Sequence, residues 1–222
     1  MVTVLMPLPA CDFDPTEVAV SWQVLSAAGH DVVFATPSGQ VSQADDLMVT
    51  GQGLDPWGAV PGVRRFTVVG RVLRANADAR RAYDALRDDR AFAAPLHWGA
   101  ARRSDYDALV LPGGHRSRGM RPYLESPEVQ QMAIDAFRAD RPVGAICHGV
   151  LVAARAVDPT TEETVEFALV TFASVPADAR IVPAGEISAA KFSPVVAPEP
   201  AVVCAHHKVE TVTGRWMYIA VR

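Results

Sequence analysis

Four short apolar runs constrain the fold of this chain more than any other feature: Val2–Leu8, Val32–Thr36, Ala108–Leu111 and Val143–Ile146. Each is followed by turn residues and then by helix-patterned sequence. Unbroken apolar runs of this kind read as strands buried on both faces, and strands that alternate with helices build a parallel sheet covered on both sides. The expected fold class is α/β, a three-layer sandwich around a mostly parallel central sheet.

The helices between the strands carry recognisable start signals. Asp14-Pro15-Thr16-Glu17 offers a cap residue, a proline at the first helical position and a glutamate at the third, and Val18, Trp22 and Leu25 follow at helical spacing before Gly29. Ser126-Pro127-Glu128 opens a second helix whose Val129, Met132, Ala133, Ala136 and Phe137 fall on one face. A third is expected from about Ala77 to Arg90. The stretch 45–100 is rich in Gly, Pro and Trp and reads as an insertion with one helix, forming part of a wall or lid over a site. From about residue 158 the chain is β-rich and punctuated by proline, with Val195–Val203 and Val209–Val221 as strand-like runs. The 222 residues are read as one domain.

Composition narrows the partners. Half the residues are hydrophobic, the formal net charge is -4 and there is no polybasic run, so neither nucleic acid nor an anionic membrane is a favoured partner. No run approaches the roughly 20 apolar residues that span a bilayer, and the N-terminus lacks the pattern of a secretory signal. Cys11, Cys147 and Cys204 are odd in number and irregular in spacing. That fits a reducing, cytoplasmic setting with no disulfide framework and no metal-finger spacing.

The chemistry concentrates at Pro142-Val143-Gly144-Ala145-Ile146-Cys147-His148-Gly149-Val150-Leu151. A strand leads into Cys147 and a helical stretch leaves it, with Ala145 and Gly149 two residues to either side. A nucleophile elbow needs small residues at those positions, because the turn is tight and thrusts its central side chain outward. At a helix N-terminus the thiol is expected to ionise readily, with its pKa lowered, and the same amides can hold an oxyanion. The bland reading of Cys147 is a buried strand-end cysteine, and the flanking residues weigh against it. His148 reads as proton shuttle or thiolate partner, with a capping or core histidine as the alternative.

Leu111-Pro112-Gly113-Gly114-His115 follows the third strand. Paired glycines there turn the backbone sharply at the carboxyl edge of the sheet, where such folds bind ligands, and Gly113 and Gly114 are candidates for completing an oxyanion hole. Glu17 is read two ways: as the third residue of a capping box, or as an acid–base group at the same sheet edge.

Taken together these residues resemble the ThiJ/PfpI superfamily, a branch of the flavodoxin-like, class I glutamine-amidotransferase-like fold. The resemblance rests on Ala145-Ile146-Cys147-His148-Gly149, on Leu111-Pro112-Gly113-Gly114-His115, and on Glu17 with Ala28-Gly29-His30-Asp31-Val32. It covers residues 1 to about 157. Ala35-Thr36-Pro37-Ser38-Gly39, the long insertion and Gly113-Gly114-His115 look like the glyoxalase III and heat-shock-chaperone branch. The resemblance implies a homodimer without organic cofactor or metal. It implies Cys147 as nucleophile, His148 and Glu17 as acid–base groups, Gly114 and His148 as oxyanion donors, and His115 in the substrate pocket. The implied substrate is a small carbonyl compound, with glutathione-independent conversion of methylglyoxal to lactate, or protein deglycation, as the activity. Where the branch carries an acid that orients the histidine, this chain has Thr171-Phe172-Ala173-Ser174, and Asp178 is the nearest carboxylate and the stand-in.

Other readings share some of these residues. A glutamine amidotransferase would need a histidine two residues before a glutamate, and His206-His207-Lys208-Val209-Glu210 lacks that spacing. His206-His207 on a strand would point to opposite faces and so not share one metal ion; a surface loop is the simpler expectation. An isonitrile hydratase or intracellular peptidase would keep the same cysteine. A holding chaperone, or a redox sensor in which Cys147 oxidises reversibly, is the alternative of a different class.

Overall fold

A computed structural model describes residues 1–58, 60, 62–63 and 65–157, together with strands at 168–172, 203–208 and 217–221. The chain opens with β1 (Thr3–Pro7) and β2 (Cys11–Phe13), then a π-helical turn, Thr16–Val20, that continues into α1 (Ser21–Ala27). Next come β3 (Asp31–Thr36), β4 (Gln43–Ala44), α2 (Asp46–Thr50), α3 (Val69–Leu73), α4 (Ala77–Arg87) and α5 (Arg90–Ala93). They are followed by β5 (Leu96–His97), α6 (Trp98–Ala101), β6 (Ala108–Leu111), α7 (Ser117–Glu125), α8 (Pro127–Arg138), β7 (Val143–Ala145) and α9 (Gly149–Arg155). The last strands are β8 (Ala168–Phe172), β9 (Val203–Lys208) and β10 (Met217–Val221).

Five strands form the central sheet in the order β5-β3-β1-β6-β7, and every pairing in it is parallel. β1 lies in the middle, with Thr3–Pro7 against Asp31–Ala35 on one side and Val4 and Leu5 against Ala108 and Leu109 on the other. Alternation along the strands divides the interior in two. Leu5, Ala35, Leu109, Leu111, Val143 and Ala145 face a core completed by α6, α7, α8 and α9. Met6, Val32 and Phe34 face a second core with Val18, Ala19, Ala82, Leu86 and Phe92. A sheet with a separate core on each face is the three-layer sandwich that the apolar runs imply. Phe34, Phe92, Phe13 and Tyr83 pack edge to face in the second core, at centroid distances of 5.3, 6.2 and 5.8 Å along the chain of contacts; each such pair contributes about 0.5–1.5 kcal/mol beyond burial.

The helix boundaries follow their caps. Ser126 Oγ accepts from the Val129 amide at 3.3 Å, with Pro127 in the first turn of α8. Asn76 Oδ1 accepts from Ala79 N at 2.8 Å to start α4. The helix expected to run to Arg90 ends at Arg87, because Asp89 caps a new helix by accepting from Phe92 N at 3.0 Å. The stretch 45–100 departs from the reading of an insertion with one helix. It holds α2 to α5 and the start of α6, supplies Ala82, Leu86 and Phe92 to the second core, and adds β5 to the sheet edge beside β3.

β10, β9 and β8 form a separate antiparallel sheet. His206 and His207 therefore lie within a strand, opposite Tyr218 and Met217, and not in the surface loop expected of them. Among the described residues no helix is long and apolar enough to cross a membrane.

Candidate active site

Between β1 and β6 the chain reverses the direction in which it adds strands, and ligand crevices of open α/β sheets form at the carboxyl ends of such strands. Three segments converge there: the turn after β2, the glycine loop after β6 and the turn after β7.

The turn after β7 has the geometry of an elbow. Cys147 adopts φ 52°, a left-handed conformation that costs a side-chain-bearing residue about 1–3 kcal/mol and is held only where its surroundings demand it. Ile146 N donates to Leu111 O at 2.9 Å, and Gly149 N closes the turn on Ile146 O at 2.8 Å. A Cβ at Gly149 would overlap the Leu111 carbonyl. Ala145, two residues before the cysteine, is fully buried. The small residue after the cysteine is thus required by close contact with β6, and the one before it is sealed in the core.

Around the thiol stand Glu17 and His148. The Cys147 thiol hydrogen-bonds to the Glu17 carboxylate, and the His148 amide points at the sulfur. His148 Nδ1 lies 3.4 Å from Sγ. Glu17 sits in the π-helical turn, a distortion frequent at functional sites. Asp14 Oδ1 caps this turn by accepting from Thr16 N at 2.7 Å and Glu17 N at 3.2 Å. Glu17 does not return the favour, as a capping-box glutamate would. Its Oε2 accepts from the Gly113 amide at 2.7 Å, across the crevice. Glu17 thus lies at the carboxyl edge of the sheet, with its carboxylate bonded to the glycine loop.

Two expectations are corrected here. Gly113 was expected to donate to an oxyanion, but its amide is committed to Glu17. What Gly113 contributes is the absence of a side chain: a Cβ there would lie 2.7 Å from His148 N, 3.0 Å from Ile146 O and 3.1 Å from Glu17 Oε2. The thiol was expected to be acidified by its helix. Instead burial, and then the Glu17 charge, push the Cys147 pKa up to about 12, against the opposing pull of the His148 amide. α9 is only 7 residues long, and its dipole does not outweigh desolvation beside a carboxylate.

The glycine loop is tied down twice more. Asp14 N donates to Gly113 O at 3.0 Å, and a Cβ at Gly114 would overlap the Asp12 carbonyl. His115 places Nδ1 3.5 Å from Asp14 Oδ2, and its ring meets that of His148 edge to face at 6.5 Å. Asp178 lies outside the described residues. Among those described, no three His, Cys, Asp or Glu side chains converge as a metal site requires.

Several residues at the site escaped the sequence reading. Asp12 is buried at φ 66° and receives Arg118 through two hydrogen bonds of 2.8 and 2.7 Å, with Arg116 Nη1 at 3.5 Å. Arg116 also approaches Asp45 at 3.7 Å. Tyr123 is fully buried near enough to Glu17 to feel its charge. Asp14 had been read only as a cap. The one available signal was the alternation of acids in Cys11-Asp12-Phe13-Asp14 immediately before the helix start.

A parallel α/β sheet with a cysteine elbow at its carboxyl edge, and a glutamate reaching the thiol from the first crossover, defines a class of cysteine-centred proteins. The chain belongs to the family described as ThiJ/PfpI family-like, which matches residues 8–177. No curated protein matches it. Among solved structures it is similar to a ThiJ/PfpI domain protein from Brachyspira murdochii (15% identity over 69% of this chain and 63% of that one, TM-score 0.43). It is also similar to DJ-1beta from Drosophila melanogaster (16%, 70% and 60%, TM-score 0.43) and to glyoxalase III from Candida albicans (18%, 73% and 64%, TM-score 0.41). The chain thus spans less than two thirds of the length of each.

Proposed function

We propose that this protein is a cysteine-dependent enzyme acting on small reactive aldehydes, a glutathione-independent glyoxalase that converts methylglyoxal to lactate. The observation that carries the reading is the Cys147 thiol held between the Glu17 carboxylate and His148 Nδ1. A thiol with a pKa near 12 is not a free thiolate at neutral pH. It reacts with the help of a base already bonded to it.

In this mechanism Sγ bonds to the aldehyde carbon as the carbonyl π pair moves to oxygen, and the thiol proton passes to Glu17. The amides of Gly114 and His148 stabilise the alkoxide, which then takes the proton from Glu17 to give a hemithioacetal. His148 carries the C1 proton to C2 through an enediol. A proton also moves from the C1 oxygen to the C2 oxygen, which leaves a lactoyl thioester on Cys147. Water adds to that carbonyl, the C–S bond breaks, and sulfur recovers a proton as lactate leaves.

A redox sensor reacts through its thiolate, a state that the burial of Cys147 and the Glu17 charge oppose. The holding-chaperone alternative has one observation in its favour: Phe66, Val68, Val72 and Leu73 expose more than half of their surface on or near α3. The deciding experiment follows lactate formation from methylglyoxal by purified protein and by Cys147→Ala. Turnover by the wild type and a loss of about 10³-fold or more in the variant are expected. Equal activity in both, or none in either, overturns the proposal. A homodimer belongs to the same reading and is checked by light scattering of the purified chain.

A further inference from the structure

The proposed reaction must move two protons along parallel paths, one between carbons and one between oxygens. His148 serves the proton that moves between the carbons, and the proton that moves between the oxygens calls for a second carrier beside it. A second imidazole stands on the far side of the crevice. His115 follows the glycine loop and meets the His148 ring edge to face at 6.5 Å. Its Nδ1 faces Asp14 Oδ2 at 3.5 Å, a length typical of site contacts that tighten when substrate binds. The Asp14 side chain is only 4% exposed, whereas that of His115 is 44% exposed. A buried carboxylate must have partners. One oxygen of Asp14 is fixed by the amides of Thr16 and Glu17, and the other is left facing the imidazole. Asp14 is also close enough for its charge to reach the Cys147 sulfur.

We infer that Asp14 and His115 form a second acid–histidine pair serving the Cys147 site. Asp14 is the positioning residue: its outer oxygen holds the proton of neutral His115 on Nδ1, so that the lone pair on Nε2 is available to substrate. Which imidazole nitrogen carries the proton is set by the hydrogen bond at the other one. His115 Nε2 then takes the proton from the C1 oxygen of the hemithioacetal and returns it to the C2 oxygen. No net proton is gained or lost, and His148 remains free for the carbon-bound proton. The inference rests on the reading of Cys147 as a nucleophile toward 2-oxoaldehydes.

The cap makes Asp14→Asn a sharp test. The backbone amides of Thr16 and Glu17 still require an oxygen, so the new NH2 group must face His115. A donor there forces Nδ1 to accept and moves the ring proton to Nε2. The full-length chain labelled with 15N-histidine is examined at pH 8 by two-bond 1H–15N spectra, with His115 assigned from its absence in His115→Gln. The wild type is expected in the Nδ1–H form and Asp14→Asn in the Nε2–H form. With methylglyoxal as substrate, kcat is expected to fall on the order of 10²-fold in both variants, with KM little changed. An unaltered tautomer in Asp14→Asn, or wild-type kcat in His115→Gln, overturns the inference. Should the wild type convert no 2-oxoaldehyde, the proposed function falls, and the His115 tautomer in the two proteins still decides for or against the pair.

Discussion

The Cys147 thiol hydrogen-bonds to Glu17, and where its proton goes distinguishes ionisation from catalysis. Removing the Glu17 charge takes away a cause that raises the thiol pKa. Glu17→Gln is therefore expected to shift the pH profile of Cys147 alkylation by iodoacetamide to lower pH. On the proposed mechanism it is also expected to lower turnover of methylglyoxal about 10²-fold or more, because the group assigned to accept the thiol proton is gone. Faster alkylation with slower catalysis is the signature; a variant that gains or loses both together would contradict general-base addition. Asp12 supports the site differently. Its bonds to Arg118 hold the carboxyl below its ordinary range, so their contribution to stability is present above about pH 4 and is lost as the pH falls through the depressed value. Arg118→Ala is expected to lower stability at pH 7, discounted by the solvent exposure of the guanidinium, and to lower it progressively less in acid, read from urea unfolding at pH 7 and pH 3.

The elements show where chain chemistry was readable and where packing overrode it. β1, β3, β6 and β7 were legible because buried parallel strands are unbroken apolar runs. α8 was legible from Ser126 and Pro127. α7 was not, because Gly119 and Pro122 both argue against a helix, yet a Cβ at Gly119 would overlap the Cys11 carbonyl. The glycine lets α7 lie directly against β2, a need that only the assembled fold reveals. Asp12 in the left-handed region carries only a weak residue-type signal: aspartate enters that region more readily than most residues, but at few of its positions. The sign of the Cys147 shift was misread because it is set first by burial and then by Glu17, distant in sequence and adjacent in space, and the local turn reveals neither. The elbow itself is testable at this scale. Gly149→Ala brings a methyl group onto backbone that cannot move without shifting β6, and is expected to destabilise the protein by about 3 kcal/mol, measured as a lower urea midpoint at unchanged m.

The whole molecule pairs a closely packed sandwich with an apolar outer stretch. Val72 is 82% exposed on α3, a short helix held by Asp55, whose carboxylate accepts from the amides of Val68, Val69 and Gly70. If the chaperone alternative accounts for this surface, Val72→Glu will abolish protection of an aggregating client. Folding stability should stay within about 0.5 kcal/mol of wild type, because the side chain packs against little. Unaltered protection would remove the surface from consideration.

Glu17, Gly113 and Cys147 come from three separate crossovers and meet only when β1, β6 and β7 lie side by side. During synthesis the ribosome must therefore release most of the polypeptide before the first of these groups can meet the last. On the proposed mechanism a nascent chain offers its cysteine no base until then, and truncation ahead of β7 removes the cysteine itself. Base-assisted addition, on that proposal, is thereby coupled to the pairing of β1, β6 and β7.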